Sequence, residues 1–418
     1  MQKFDIAIVG AGASGLAAAV AASTAGATVL VLEKNHVPGR KILSTGSGKC
    51  NFSNSAVTPG AYHPPAASFL KKTFSALPPR EVLSFFGDLG LLWTEDERGR
   101  LFPNSFKAQD VSGVLLNELG SRGVELRTLT EVSAVLPGRE GFAIEAFRVA
   151  PQWDKKSARG ERLAFSAGRV ILAAGGAAYP QIGGTGGGYA LLRTLGHAVS
   201  PLSPAIVPLT SGDACLKELD GVRAEAALKL KAGGKTVSTA AGELLFTSYG
   251  ISGPAALDLS RAALAALKKT PVFVEADFFP SLTPDALRRL LESRAERFAA
   301  RPFGHFACGL LNEKLLKAAA ARCGIAWAAP AGPGLREFAG LLKGFSVGIT
   351  GSRGFEDAMV TAGGCSLAEI APETFASGKV PGLYVTGELL DLDGDSGGYN
   401  LHLAWTSGIL AGRAAAKK

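Results

Sequence analysis

The stretch from Phe4 to Glu33 limits what this chain can fold into more than any other part of it. Phe4–Val9 (FDIAIV) is a short apolar run rich in β-branched residues, as suits a strand buried on both faces. Gly10-Ala-Gly12-Ala13-Ser14-Gly15 follows at once and opens an alanine-rich helix expected to end at Gly26. Thr28–Leu32 (TVLVL) is then a second buried strand, closed by Glu33. Strand, glycine turn, helix, strand, acid is the order that a dinucleotide-binding βαβ unit requires. Gly10 permits the tight turn, Gly12 lets backbone amides reach a pyrophosphate, and Gly15 lets the helix lie close to the strand. Ala13 and Ser14 place their amides at the positive end of that helix, facing the same phosphates. Glu33, eighteen residues after Gly15 and followed by Lys34, is placed to accept the hydroxyls of an adenosine ribose. The fingerprint alone suits NAD and FAD equally.

Residues 39–51 (GRKILSTGSGKCN) separate the two. Three glycines and three cations stand just past the acid, and in two-dinucleotide flavoproteins such a stretch follows the pyrophosphate toward the flavin ring. Arg40, Lys41, Cys50 and Asn51 therefore join the candidate FAD contacts. The disulfide reductases of that superfamily carry C-x4-C here, whereas this chain has Thr45-x4-Cys50, so a dithiol mechanism is not expected. Cys50 either touches the flavin or fills a small buried space.

Two later segments return to the same place. Arg169–Ala174 (RVILAA) reads as a buried strand ending in Gly175-Gly176, the kind of glycine pair that FAD folds bring back to the cofactor. Residues 183–189 (GGTGGGY) fail as a second fingerprint, because Tyr189 occupies the third glycine position, so a dedicated NAD(P)H domain is not expected. Near the end, Gly382–Glu388 reads as strand, tight turn at Gly387, then acid, and Ser396–Leu401 opens a helix expected to reach about Arg413. In FAD proteins a late acid binds ribityl hydroxyls and the next helix N-terminus faces the flavin carbonyl side. Glu388, and the amides near Asn400 and Leu401, take those roles. Asp391, Asp393 and Asp395 lack the rest of an EF-hand pattern, and no metal site is expected.

A chain of 418 residues is long enough for two or three domains, and 47% hydrophobic with 19% charged residues is a globular balance. The five cysteines are widely spaced with no CxxC pair, which excludes a zinc knuckle and a secreted disulfide framework. No signal peptide and no uninterrupted apolar span is evident, so a soluble cytoplasmic protein is expected. Between the nucleotide-type ends, residues 200–275 are turn-rich with short alternating apolar runs, a small β-structure. Residues 284–300 and 309–324 look helical, with a Pro/Gly-rich break at 328–334. Residues 280–345 hold ten Lys/Arg against five acids, so much of the net charge of +8 resides there. Such a face either meets RNA or is merely solvated.

With these motifs in view, the chain resembles the BaiN/YhiN-like FAD-dependent oxidoreductases over nearly its full length. The resemblance rests on GAGASGLAAA, GRKILSTGSGKCNFSN, GRLFPNSFKAQDV, GELLFTSYGISGPAALDLS, VTAGGCSLAEI and GLYVTGELLDLDGDSGGYNLHLAWTSGILAG. It implies an α/β fold with a Rossmann-like FAD-binding domain built from both chain ends, a β-barrel-like insert and a small helical insert. The corresponding boundaries are 1–198 and 357–418 for the FAD domain, 199–278 and 344–356 for the barrel, and 279–343 for the helices. It also implies FAD contacts at Gly10–Gly15, Glu33, Arg40, Lys41, Asn51, Glu388, Asn400 and Leu401, and an adenine-side backbone contact at Val132. Lys49 stands where Arg is expected, Ser248 where His is usual and Cys365 where an apolar residue is usual, and the loss of His at 248 removes a proton donor.

Such relatives are associated with reducing a conjugated C=C bond in a bile-acid-type enone or in a uridine of ribosomal RNA. The expectation is therefore an FAD-dependent reductase driven by NAD(P)H, acting on a small molecule or on ribosomal RNA, with the basic helices tilting the choice toward RNA. A flavin-bound RNA or ribosome partner, a redox sensor, and a flavin oxidase or monooxygenase are the alternatives. Tyr249, Tyr399 and His402 are possible proton donors, none assigned as catalytic, and the oligomeric state is open.

Overall fold

The computed structural model describes residues 3–63, 66–151, 160–299, 301–330 and 334–417. The chain divides into two compact units, residues 1–203 with 360–418, and residues 204–359.

The first unit is built on a seven-stranded sheet. Its strands are β1 (Lys3–Val9), β2 (Val29–Leu32), β3 (Glu125–Arg127), β4 (Thr130–Gly138), β5 (Gly141–Arg148), β6 (Arg162–Leu172) and β7 (Leu383–Val385). They lie in the order β3-β2-β1-β6-β5-β4, with β7 beside the C-terminal half of β6. Ile6 pairs with Val29 on one side and Arg169 on the other, both in parallel, while β4 and β5 join antiparallel. Burial on both faces explains the apolar runs of β2 and of Ile6–Val9 in β1, while Lys3 and Asp5 at the start of β1 are exposed.

Five helices matter for the site: α1 (Ala13–Thr24), α2 (Arg40–Ser44), α3 (Ala108–Ser121), α4 (Gly187–Thr194) and α5 (Tyr399–Ala416). α1 ends at Thr24, two residues short of the expected Gly26, which instead adopts φ +85° in the turn. α5 extends past Arg413 to Ala416. These two helices pack at backbone distance. A Cβ on Gly408 would stand 2.2 Å from the carbonyl oxygen of Ser14, and one on Gly412 would stand 2.4 Å from that of Ala18. The alanines of α1 and the Gly408/Gly412 pair, four residues apart on one face of α5, are thus one packing device. It sets the two helix N-termini from opposite ends of the sequence in a fixed relation.

The second unit is an antiparallel sheet of seven strands, whose path runs from Phe345–Ile349 through Val272–Asp277, Arg223–Ala232, Lys235–Thr247, Gly250–Ser252 and Leu209–Thr210 to Gly351–Ser352. Its two end strands are separated in sequence by Thr350 alone, so one extended segment forms both edges and the sheet curls on itself. Helix Pro254–Leu267 buries Ala255, Ala256, Leu259 and Ala263 against this sheet. That helix was not anticipated, although Gly253-Pro254 is a helix start with proline at N1. Its alanine-rich face gives little amphipathic contrast in a turn-rich region.

Helices Pro284–Arg297, Phe303–Ala307, Glu313–Arg322 and Leu335–Lys343 share a separate core around Leu287, Leu291, Phe303, Phe306, Leu316 and Phe338. The expected helix at 309–324 begins only at Glu313, because the Asn312 side chain accepts from Lys314 N–H and caps it. The Pro/Gly-rich break at 328–334 lies partly outside the described residues. No described helix is long and apolar enough to cross a membrane.

Candidate dinucleotide site

The glycine turn separates into two kinds of glycine. Gly10 has φ +105° and a Cβ there would meet the Ala173 carbonyl oxygen at 2.4 Å; one on Gly15 would meet the Gly10 carbonyl oxygen at 1.9 Å. Those two residues are required by strand, turn and helix packing on one another. Gly12 is different. Its φ of −79° suits any residue, and nothing lies within 4 Å of a Cβ built on it. The space in front of Gly12 is open. α1 starts there without a side-chain cap, and Leu16 is the first residue to close the helix, donating to Gly12 O at 2.9 Å. Among the described residues, the amides of Ala13, Ser14 and Gly15 have no hydrogen-bond acceptor, which leaves three donors at the positive end of a buried helix.

Glu33 ends β2 beside this turn and is buried. Its Oε2 accepts from Ala11 N–H at 2.8 Å, and its Oε1 accepts from Asn35 N–H and Nδ2 at 2.8 and 2.7 Å. Each carboxylate oxygen has about two acceptor sites, so Oε2 keeps one for a ligand hydroxyl. Lys34 donates to Thr185 Oγ1, and burial holds its ammonium below the usual lysine range against the pull of Glu33 and Glu131. Val132 lies in β4 at a bulge, two residues past Thr130, whose N–H donates to Glu33 O at 2.8 Å. The start of β4 thus runs against the acid.

The 39–51 segment and the chain's last sixty residues meet around Glu388. Lys41 Nζ is 2.6 Å from Glu388 Oε2, while Oε1 accepts from Thr361 N–H at 2.8 Å. Thr361 Oγ1 in turn accepts from the amides of Ala177 and Ala178. Gly176 makes this approach possible, since a Cβ there would stand 2.3 Å from Glu388 Oε1. Its neighbour Gly175 has φ +74° with nothing within 4 Å of a Cβ. Gly387 has φ +65° and sits over Ser14 Oγ. Gly176 belongs to the glycine pair expected to return here; Thr361 was not singled out from sequence, and its signal was its place in VTAGG. Arg40 opens α2 and donates to Asn35 Oδ1 at 3.3 Å.

Cys50 is fully buried at φ +57°, and burial pushes its thiol up to about 12. A thiol so placed stays protonated near neutrality, which makes it a poor nucleophile. Cys50→Ala is therefore expected to keep turnover within about twofold and to lose about 1–2 kcal/mol of stability from the cavity. Steady-state rates beside a denaturant melt would check both halves.

Asn51 Oδ1 is buried with no partner among the described residues, next to Gly398. Gly398 precedes α5, and the amides of Asn400 and Leu401 have no acceptor among the described residues. The Asn400 side chain does not face a ligand as a free group. It holds Gly394 through Oδ1 and Nδ2, at 2.9 and 2.8 Å, and Asp395 O at 3.2 Å, so any ligand contact from it is through its backbone. Two clamps fix α5 to the early segment: Ser53 Oγ to His402 Nδ1 at 2.8 Å, and Trp405 Nε1 to Phe52 O at 2.9 Å. Tyr62 donates to Tyr399 O at 2.9 Å.

Burial lowers His402 to about 4. Its folded value lies below its ordinary 6.5, so the unfolded chain binds the extra proton in that window. Its stability contribution is complete above about 6.5 and fades as pH falls toward 4. His402→Leu is expected to flatten that part of a stability–pH curve measured by chemical melts, and a curve of unchanged slope would refute the assignment. Of the other residues weighed as proton donors, Tyr249 lies in the second unit under the Arg353 guanidinium, 4.9 Å from its ring centroid. Ser248 is held there by its N–H on Asp220.

The donor set suits a dinucleotide: open space at Gly12, unpaired amides at two helix starts, and a buried acid with a spare acceptor site. Comparison with known proteins agrees. Residues 4–414 match the family described as HI0933-like protein Rossmann domain. The chain belongs to that family. It is a family of FAD-dependent oxidoreductases. A 3-dehydro-bile acid delta(4,6)-reductase of Clostridium scindens is 35% identical over 99% of both chains. A protein of Escherichia coli named ribosomal RNA dihydrouridine synthase is 29% identical over 97% of this chain and 96% of its own. Among solved structures, 3-ketosteroid delta1-dehydrogenase from Sterolibacterium denitrificans superposes over all of both chains with a TM-score of 0.54 at 14% identity, which shows a shared fold.

Proposed function

We propose that this protein is an FAD-dependent reductase of a conjugated C=C bond in a small, steroid-like enone, with NAD(P)H as the electron donor. The observation that carries the reading is the pair of helix N-termini fixed by the Gly408 and Gly412 contacts. The unpaired amides of Ala13–Gly15 would hold a pyrophosphate, and those of Asn400 and Leu401 would stabilise negative charge on the flavin. FAD, held by these residues, would supply the hydride chemistry: flavin reduced by NAD(P)H would give a hydride to the enone β-carbon while the α-carbon takes a proton from solvent. Glu33 holds the ribose, Glu388 with Lys41 borders the ribityl chain, and Asn51 Oδ1 offers an acceptor to a ligand N–H.

The relative at 35% identity carries a name that describes a 3-oxo compound with double bonds at positions 4 and 6, which is this substrate class. The basic helices support the small molecule over RNA. Arg288 pairs with Glu292, Lys317 with Glu313, Arg322 with Asp213 and Lys343 with Asp277, and Arg294 is spent on the carbonyls of Phe306 and Cys308. Half of the ten cations seen in sequence are thus engaged within the unit.

The test is an anaerobic titration of the purified protein with NADPH, followed through the visible flavin band. Bleaching, then recovery of the band on adding a 3-oxo-Δ4 steroid, is the expected result. Recovery with uridine-containing RNA and none with the steroid would move the substrate to RNA. A band that NADPH and NADH leave oxidised would remove the nicotinamide donor, and rapid recovery in air alone would point to an oxidase.

A further inference from the structure

We propose that His197, Cys365 and Glu369 form a binding site for one thiophilic divalent cation such as zinc. This is the one group of three or more His, Cys, Asp or Glu side chains among the described residues whose ligand atoms converge, all lying within 4.8 Å of one another. His197 and Cys365 are buried, and the Glu369 side chain is 15% exposed, which gives an entry path on that side. His197 Nδ1 is 3.6 Å from Cys365 Sγ. Tetrahedral coordination with bonds of about 2.3 Å to sulfur and about 2.0 Å to nitrogen puts those two atoms about 3.6 Å apart. His197 Nδ1 is 2.8 Å from Glu369 Oε2, so the carboxylate must withdraw by about half an ångström to admit an ion bonded to both. Water completes the fourth position.

The surrounding groups hold these three in place. Ser377 Oγ lies 2.9 Å from His197 Nε2 and already accepts from the amides of Lys379 and Val380, so in the metal-free state the ring proton sits on Nδ1 and metal binding there must shift it to Nε2. Lys379 takes Glu369 Oε1 at 2.7 Å and Ala198 N–H reaches Oε2 at 3.0 Å, which orients the carboxylate as outer partners do in metal sites. The thiolate and the carboxylate bring two negative charges, the second shared with Lys379, and the thiolate favours zinc over magnesium or calcium. The site lies behind the Glu388 loop, since Cys365 N–H donates to Leu389 O and Cys365 O accepts from Asp391 N–H. The ion is structural: it ties the 197–200 segment after α4 to the backbone that presents Glu388. The Asp391, Asp393 and Asp395 triplet takes no part, because Asp391 accepts from Ser200 while His63 stands between the other two.

The flavin-loaded full chain would be stripped with chelator, dialysed against zinc and then metal-free buffer, and assayed for retained metal. In parallel it would be titrated with cobalt(II). One retained zinc per chain is expected, with intense cobalt d–d bands of a tetrahedral thiolate site at wavelengths beyond oxidised flavin. Cys365→Ser should abolish the thiolate signature and weaken zinc binding by at least about tenfold. Should that variant fail to fold, replacing Cys215, Cys308 and Cys323 together by serine must leave the cobalt bands intact. No retained zinc, a six-coordinate cobalt spectrum, or bands that vanish with those three cysteines would each overturn the site.

Discussion

Gly12→Val is expected to give a protein that folds as well as the wild-type apoprotein and purifies without flavin. Neither half follows for the neighbouring glycines. At Gly10 and Gly15 a Cβ drives into backbone carbonyls at 2.4 and 1.9 Å, so any substitution there breaks the turn itself. At Gly12 the backbone is in ordinary extended geometry and the added atoms meet no protein. They enter the open space at the helix start that carries the unpaired amides of Ala13, Ser14 and Gly15. Overfilling a tight contact costs about 1–3 kcal/mol, which is roughly a ten- to hundredfold loss of affinity. The stability comparison must be made between apoproteins, because a bound cofactor itself raises Tm by mass action. Equal apoprotein melting with flavin content near zero is the expected pair of results; full flavin occupancy would show that no phosphate passes Gly12. Glu33→Ala is a less clean test of the same site. Glu33 also holds Ala11 and Asn35, so its loss disturbs the turn as well as any ribose contact.

The contrast among these glycines shows what the sequence could and could not convey. The βαβ unit was legible because it is local: fewer than forty consecutive residues carry the strand runs, the turn and the acid. The return of Gly175, Gly387 and Glu388 to the same sheet was legible for the same reason, as each ends a short apolar run. The pairings between distant segments were not. Nothing in GRKILS states that Lys41 will meet Glu388, and nothing in VTAGG states that Thr361 will hold both Glu388 and the amides after Gly176. Asn400 was read as part of a helix start, and its amide is one, but its side chain is consumed by the Gly394 turn. Cys365 was noted only as a departure from an apolar norm. Its partners His197 and Glu369 become visible once residues 198–200 pair with the 364–366 segment.

Gly408→Leu is expected to be the most damaging single change in α5, lowering apoprotein stability by about 3 kcal/mol or more and emptying the site of flavin. The reason is that the obstacle is backbone on both sides. A Cβ at residue 408 stands 2.2 Å from Ser14 O, and Ser14 is itself in the first turn of α1, where the dinucleotide amides lie. No rotamer change relieves such a contact, so the helices must separate by an ångström or more. Separation carries Ala13–Gly15 away from Asn400 and Leu401 and loosens the Gly387 turn, which rests on Ser14 Oγ. For a unit of this size the loss corresponds to a fall in Tm of roughly 6–12 °C. Gly412→Ala probes the same interface one turn further from the site, where a Cβ meets Ala18 O at 2.4 Å. It should cost stability with a smaller effect on flavin, since the amides at both helix starts lie beyond the disturbed turn. If Gly408→Leu melted with the wild type and kept its yellow colour, the fixed spacing of the two N-termini would not be what binds the cofactor. The proposed function would then lose the observation on which it stands.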